Sequence, residues 1–259
     1  MLSYVKSEFY RILHNKSTYL FIIICSALLV SSNILLAAVK YSEPTFGYAN
    51  TFFSIVNFMS SFAMVFILSI AVATIIFGNE YGNHTMKNSV SYGISRSTIY
   101  FGKLFVEIVY AIVAFAIITA FHVASAYLLL ENSHMHELSV LIRMFLASLP
   151  LLLYVLAVVN CFAFIMEGTA GAIGFDALIL FAIPIISSMM GMKFELFHKL
   201  AEILPWNLIN NISMKEEPFD IVLQWEGNAG YYNYWIAGMV QLILITVIGY
   251  LIYRKREIK

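Results

Sequence analysis

Two carboxylates sit where carboxylates rarely go. Asp176 falls about two turns into a long apolar block, and Glu107 about one turn into another. An unpaired charge at such a depth in hydrocarbon costs on the order of 2.5–3.5 kcal/mol. Asp176 must therefore be protonated, paired or turned towards water. Two kinds of chemistry fit: a polar station on a path through the membrane, or a polar contact between two membrane-embedded subunits. The plainer reading is a structural hydrogen bond to Asn160 or to a tyrosine. Glu107 is near enough to the end of its block to reach the membrane surface. His122, in the same block, reads as a packing residue.

Other chemistries lack the residues they need. His134 and His136 are only two apart and lack the H-E-x-x-H arrangement of a helical zinc site. The nucleophile elbow G-x-S-x-G does not occur, nor does the phosphate-cradling G-x-x-x-x-G-K-[ST]. Gly168, Gly171 and Gly174 carry no lysine and open an apolar helix, where small residues serve close helix packing. Cys25 and Cys161 both lie inside apolar blocks as small packing residues. No catalytic residue, no metal site and no cofactor is assigned to this chain. With zero net charge, no basic face points to nucleic acid.

The elements that position these groups follow from composition. Of 259 residues, 61% are hydrophobic and 12% charged; soluble domains have about 45–50% and 25%. Six blocks are long enough to cross a hydrocarbon layer about 30 Å thick, which takes about 20 helical residues. They are Tyr19–Val39, Phe52–Phe77, Leu104–Leu130, Met144–Met166, Ala170–Met192 and Tyr234–Tyr253. None alternates in the manner of a barrel strand, and an open sheet edge in lipid would leave backbone groups unpaired. The expected class is all-α: a single polytopic membrane domain over residues 1–259 with six transmembrane helices.

Residues 1–18 read as an amphipathic helix on the membrane surface. Leu2, Val5, Phe9, Ile12 and Leu13 share one face, with Lys6, Glu8 and Arg11 elsewhere. A signal peptide is disfavoured, because the apolar run that follows is too long and no small-residue cleavage site ends it. With both termini inside, ten of the fifteen Lys and Arg fall on inner segments, as the positive-inside rule asks. Trp206, Trp225 and Trp235 then lie near the outer interface. Residues 193–233 form an outer insertion. Leu196, Leu200, Ile203 and Leu204 recur there at helical spacing until Pro205-Trp206 breaks the run, and the segment could lie in or dip into the outer leaflet.

The most informative polar stretch is the inner loop between the second and third blocks, Gly78 to Tyr100. Met86, Val90 and Ile94 share a helical face, and Lys87, Asn88 and Ser91 point away from it. Gly93 is placed to end that short helix, and Ser95 or Ser97 to cap the next. The loop reads as a compact helix at the inner surface, able to receive force from a cytoplasmic partner. An ordinary polar connector is the alternative.

The run Glu80-Tyr81-x-x-x-Thr85-x-Lys87-Asn88, then Ser91-Tyr92-Gly93-Ile94-Ser95-Arg96 and Tyr100-x-x-Lys103, resembles the inner loop of ABC exporter permeases of the second type. These include lantibiotic-immunity, bacitracin and related peptide or drug export permeases of Gram-positive bacteria. The layout is also similar: a surface helix, six spans, a very short inner loop after the fourth, and an outer insertion before the last. His84 stands where the family commonly has Gly before the Thr, a departure that bears on the local turn. The resemblance implies that residues 79–98 form a cytoplasmic coupling loop docked on a separate ATPase subunit, which would hold ATP and Mg. Glu80, Tyr81, Thr85, Met86, Lys87, Val90 and Arg96 would be its coupling residues, with Lys87 and Arg96 facing acidic groups. It further implies a second permease subunit, identical or paralogous, a plasma-membrane location, and short outer helices that lid the exit. Asp176 and Asn160 would lie on the cargo path or the subunit interface. The rival reading is a proton-coupled secondary transporter titrating Asp176 and Glu107.

Overall fold

The computed structural model describes residues 1–83, 89–133, 136–166, 168–215, 219–223 and 230–256, with backbone alone for 79–83 and 230. The first helix, α1 (Leu2–Leu13), ends short of the expected residue 18. The side chain of Asn15 accepts from the Ser17 amide at 3.0 Å. That cap starts the first span, α2 (Lys16–Ser42), immediately.

The second apolar block is not one helix. It forms α3 (Thr51–Ser60) and α4 (Met64–Asn83), bent by 66° where they meet. Neither Pro nor Gly lies at the break. Ser60 and Ser61 do, and such a pair is one of the recurrent sites of sharp kinks. The chain turns through i→i−3 bonds: Phe62 to Met59, Met64 to Ser61, Val65 to Phe62 and Phe66 to Ala63. Hydropathy cannot register this, because each half is apolar by itself.

The remaining spans are α5 (Arg96–Leu129), α6 (Glu137–Ile165), α7 (Thr169–Gly191) and, last, α10 (Gly230–Lys255). Both α5 and α6 start several residues before their apolar blocks. Ser95 caps α5 by accepting from the Thr98 amide at 3.2 Å, so the cap falls on Ser95 and not on Ser97. Helix α7 carries one π turn at Leu178–Ala182, just before Pro184. Pro184 has no N–H for an i−4 bond, and the widened turn absorbs the misfit.

Five helices are thus long and apolar enough to cross a bilayer, and the bent α3–α4 pair makes a sixth if counted as one span. The protein is an all-α polytopic membrane protein, as the composition required. Helix α6 lies at its centre: 78% of its most apolar window is buried, against 11% for α2 and α10. Helix α10 lies along α6, and a Cβ added at Gly249 would stand 2.6 Å from Cys161 Sγ and collide with Tyr100 Oη. Only a residue without a side chain lets these three helices approach so closely.

The insertion is helical only in its first half. Helices α8 (Glu195–Ile203) and α9 (Pro205–Asn210) meet at the expected Pro205 break. A two-stranded hairpin follows, β1 (Ile212–Lys215) against β2 (Asp220–Leu223). The expected helical insertion thus consists of two short helices followed by a hairpin. Phe219, Ile221 and Leu223 recur with the period of a strand.

Candidate functional site

The end of the bundle that carries both termini holds the predicted coupling residues. Glu80 and Tyr81 are on the last turns of α4, where the backbone alone is described. His84, Thr85, Met86 and Lys87 lie outside the described residues, as do His134 and Trp225. Residues 89–91 are helical, and Gly93 ends that helix with φ +81°. The Gly93 amide bonds to Val90 O at 3.0 Å and the Ile94 amide to Ser89 O at 3.2 Å. Both bonds of a Schellman motif are present, around the residue type that enters the left-handed region without penalty. Val90 and Ile94 pack against the main core.

Arg96 follows at the first residue of α5. Its guanidinium donates to the carbonyls of Tyr253, Arg254 and Arg256 at 3.1, 2.8 and 2.6 Å. Those carbonyls lie at the C-terminal end of α10, where intrahelical donors run out and a cation meets the negative end of the helix dipole. Arg256 in turn donates to Phe164 O at 2.7 Å at the end of α6. The resemblance had Arg96 facing acidic groups of a partner. In the folded chain it fastens the start of α5 to the end of the last span.

The N-terminal helix is tied to the same region. Glu8 Oε2 receives Arg11 at 2.6 Å and Lys103 Nζ at 3.1 Å, and Arg11 also donates to Ile76 O of α4 at 3.1 Å. Lys103 lies 4.9 Å from the centre of the Phe77 ring. A Cβ at Gly102 would stand 2.9 Å from the Tyr4 ring. Helix α1 therefore turns Glu8 inward onto α4 and α5, while Leu2 and Leu13 stay exposed. The sequence reading had put Glu8 away from the apolar face of α1 and missed its pairing. A lysine at the mouth of an apolar block was the available signal, since such a charge needs a carboxylate.

Deeper in the bundle lie the two carboxylates. Glu107 is fully buried inside the bundle. Because α5 begins at Arg96, Glu107 stands about three turns inside the helix. Asp176 is 2% exposed and Asn160 fully buried. Both Glu107 oxygens, Asp176 Oδ1 and both amide atoms of Asn160 lack a hydrogen-bond partner among the described residues. The suggested bond between Asn160 and Asp176 does not form. Asn160 lies next to Tyr100. Glu107 is within electrostatic range of Asp176 and of Lys103. Asp176 borders a crevice of about 10 Å³ between α4, α6 and α7, beside Thr74, Phe77 and Ala163. Leaving such groups buried without partners costs about 1–3 kcal/mol each, an expense more in keeping with use than with packing.

A second buried polar cluster is fully satisfied. Asn33 donates to Ser125 Oγ at 2.8 Å and to His122 O at 3.1 Å, and Ser54 donates to Asn33 Oδ1 at 2.6 Å. Phe58 stacks on His122 at 4.8 Å. This network zips α2, α3 and α5 together, so His122 is the packing residue expected. Among the described residues no three His, Cys, Asp or Glu side chains come close enough to hold a metal ion.

At the opposite end, the insertion folds back into the bundle. Trp206 of α9 packs on Phe181 at 4.7 Å and Phe66 at 5.8 Å. Phe181 lies in the π turn of α7 and Phe66 just past the bend of the second span, so Trp206 sits at mid-span depth and not at the interface. Tyr234 donates to Leu208 O at 3.0 Å and Gln241 to Ile203 O at 2.7 Å. Arg143 holds the hairpin through Asp220 at 2.6 Å.

The geometry is that of a polytopic bundle with a braced helical elbow at one end and a folded-back helical pair at the other. The family model described as ABC-2 family transporter protein matches residues 4–184, more than half of the chain. The chain belongs to this family. The ABC-2 protein is accordingly the permease component of an ABC transporter, a multi-pass membrane protein whose family works with an ATPase partner. The match spans the surface helix, the elbow and both buried carboxylates, and stops inside α7 before the insertion. No curated protein matches the chain.

Proposed function

We propose that this permease subunit exports amphipathic peptides, peptide antibiotics or other hydrophobic compounds across the plasma membrane, with both termini in the cytoplasm. ATP and Mg would bind on a separate ATPase subunit, and a second permease subunit, identical or paralogous, would complete the path. ATP binding would shift the permease pair between two packings, a ligand biasing a two-state element.

The observation that carries this reading is the bracing of residues 89–96. The segment lies between α4 and α5, is closed by the Gly93 motif, and is pinned to α10 by Arg96. An element fixed to three spans passes a push to all of them. Glu80, Tyr81, Thr85, Met86, Lys87 and Val90 are the proposed coupling residues, with Arg96 as the anchor behind them. The ten-to-five bias of Lys and Arg towards this end supports a cytoplasmic placement.

Asp176, Glu107 and Asn160 support a polar station on the cargo path or the subunit interface. Their open hydrogen-bonding capacity also favours the second reading, proton coupling through Asp176 and Glu107. Family membership weighs against it, as does the absence of an inverted repeat in the sequence. The deciding experiment is affinity purification of the tagged protein from its native membrane. An ATPase should accompany it, and Met86→Asp with Val90→Asp should release that ATPase. No ATPase, or binding and transport both untouched by the double change, overturns the reading; cargo movement driven by a pH gradient without ATP would favour the second.

A further inference from the structure

Where α3 and α4 meet at the 66° bend, the packing leaves a cavity of about 220 Å³. Four crossings build its wall: Cys25 and Leu29 of α2, Phe58 and Phe62 at the bend, Phe115 of α5 and Phe145 of α6. Ser61 and Thr119 bring the only hydroxyls among its lining residues. Leu28 and Met64 stand at the rim and are 66% and 58% exposed. Both belong to apolar membrane-crossing elements at mid-length, so the mouth between α2 and α4 opens sideways onto hydrocarbon.

Water does not suit such a space, since each water needs two to four polar partners. Left empty, the lining would forgo its dispersion contacts. An apolar cavity of only ~150 Å³ takes up benzene, so this one is large enough for a stretch of hydrocarbon chain. The medium at its mouth consists of acyl chains.

We propose that this cavity binds one acyl chain of a bilayer lipid, which enters past Leu28 and Met64 and wedges the α3–α4 bend at its observed angle. The bend is the upper end of a lever: α4 runs from it to Asn83 and leads into the coupling segment. A ligand that fits only the bent form stabilises that form. Lipid occupancy thereby biases the tilt of α4, a consequence that rests on the coupling role proposed above. The binding site itself does not depend on that role.

The test uses the full-length protein in phosphatidylcholine vesicles whose acyl chains carry a diazirine at mid-chain. After photolysis, adducts are mapped by mass spectrometry. Adducts are expected on Cys25, Leu29, Phe58 and Thr119, alongside those on lipid-facing residues of α10 such as Ile243 and Leu244. Thr119→Phe and Cys25→Phe, made separately, fill the cavity from different helices and should abolish the wall adducts while the α10 adducts persist. Persistence of the α10 pattern also reports that a filled variant is still folded in the bilayer. Absence of wall adducts in the unaltered protein overturns the proposal, whatever the variants do. Wall labelling unchanged in a folded filled variant overturns it too. So does efficient bismaleimide cross-linking of Cys25 to Cys25 between copies in a Cys161→Ser background, which would put a second copy over the mouth. Because labelling needs neither ATP nor an ATPase, its outcome is independent of the exporter reading.

Discussion

Glu8 on the N-terminal helix and Lys103 in the third span form a buried ion pair at 3.1 Å, with side chains 9% and 1% exposed. Arg11 completes the cluster from a more exposed position. Removing one member of a buried pair costs about 3–5 kcal/mol, because the other charge stays buried. Exposed pairs contribute about 0–1 kcal/mol. Glu8→Ala should therefore lower the unfolding midpoint in detergent much more than Arg11→Ala. Equal effects would mean that the N-terminal helix is not docked through Glu8.

The same docking predicts a steric pattern. Gly102→Val puts a side chain against Tyr4, and Gly249→Val against Tyr100 and Cys161. Overpacking of this kind costs about 1–3 kcal/mol, and Gly249 is hemmed in by two helices. Gly174→Ala meets nothing within 4 Å and serves as the control. Thermal stability should fall in the order Gly249→Val, Gly102→Val, Gly174→Ala, the last being nearly silent. A silent Gly249→Val would contradict the packing of α10 on α5 and α6.

Arg96 anchors the proposed coupling segment through three carbonyls. Arg96→Ala removes a cation from a helix C-terminus, worth up to about 2 kcal/mol when partly buried. The expected phenotype is uncoupling: the ATPase still copurifies while cargo-stimulated hydrolysis drops. Loss of ATPase binding with intact stability would instead place Arg96 in the contact itself.

Glu107→Gln and Asp176→Asn keep the shape of each side chain and remove the ionisable group. Since neither carboxylate has a complete set of partners, the amides should leave the unfolding midpoint unchanged or raise it. Export assayed in vesicles should fall. A drop of several kcal/mol in stability with export retained would identify both acids as structural.

Trp206 differs from Trp235 in depth. A variant keeping Trp206 alone should be quenched by lipids brominated at mid-chain and shielded from aqueous iodide. One keeping Trp235 alone should show the opposite bias. If Trp206 is quenched chiefly by iodide, the insertion does not fold back between α4 and α7.

Much of this was legible before folding. Gly93 could be assigned as the stop and the cap narrowed to Ser95 or Ser97, because both roles rest on one residue's φ or one side chain reaching three residues on. The Pro205 break and the packing role of His122 were likewise readable. The 66° bend was not, since the i→i−3 turns at Ser61–Ala63 leave no mark on hydropathy. Nor were the partners of Arg96 and Glu8, which lie about 160 and 95 residues away and are brought near by helix packing.

The amino-acid sequence by itself determined that this chain lives in a membrane, that it crosses as helices, and that it carries a polar elbow between the second and third crossings. Those properties depend on the length of apolar runs and on local spacing, which lipid and backbone geometry read directly. Tertiary structure alone decided which buried charges meet, which stay without partners, and where a span breaks to leave a cavity. Each of those depends on the rotation and depth of one helix against another, quantities set by close packing at Gly102 and Gly249 and invisible in either helix taken separately.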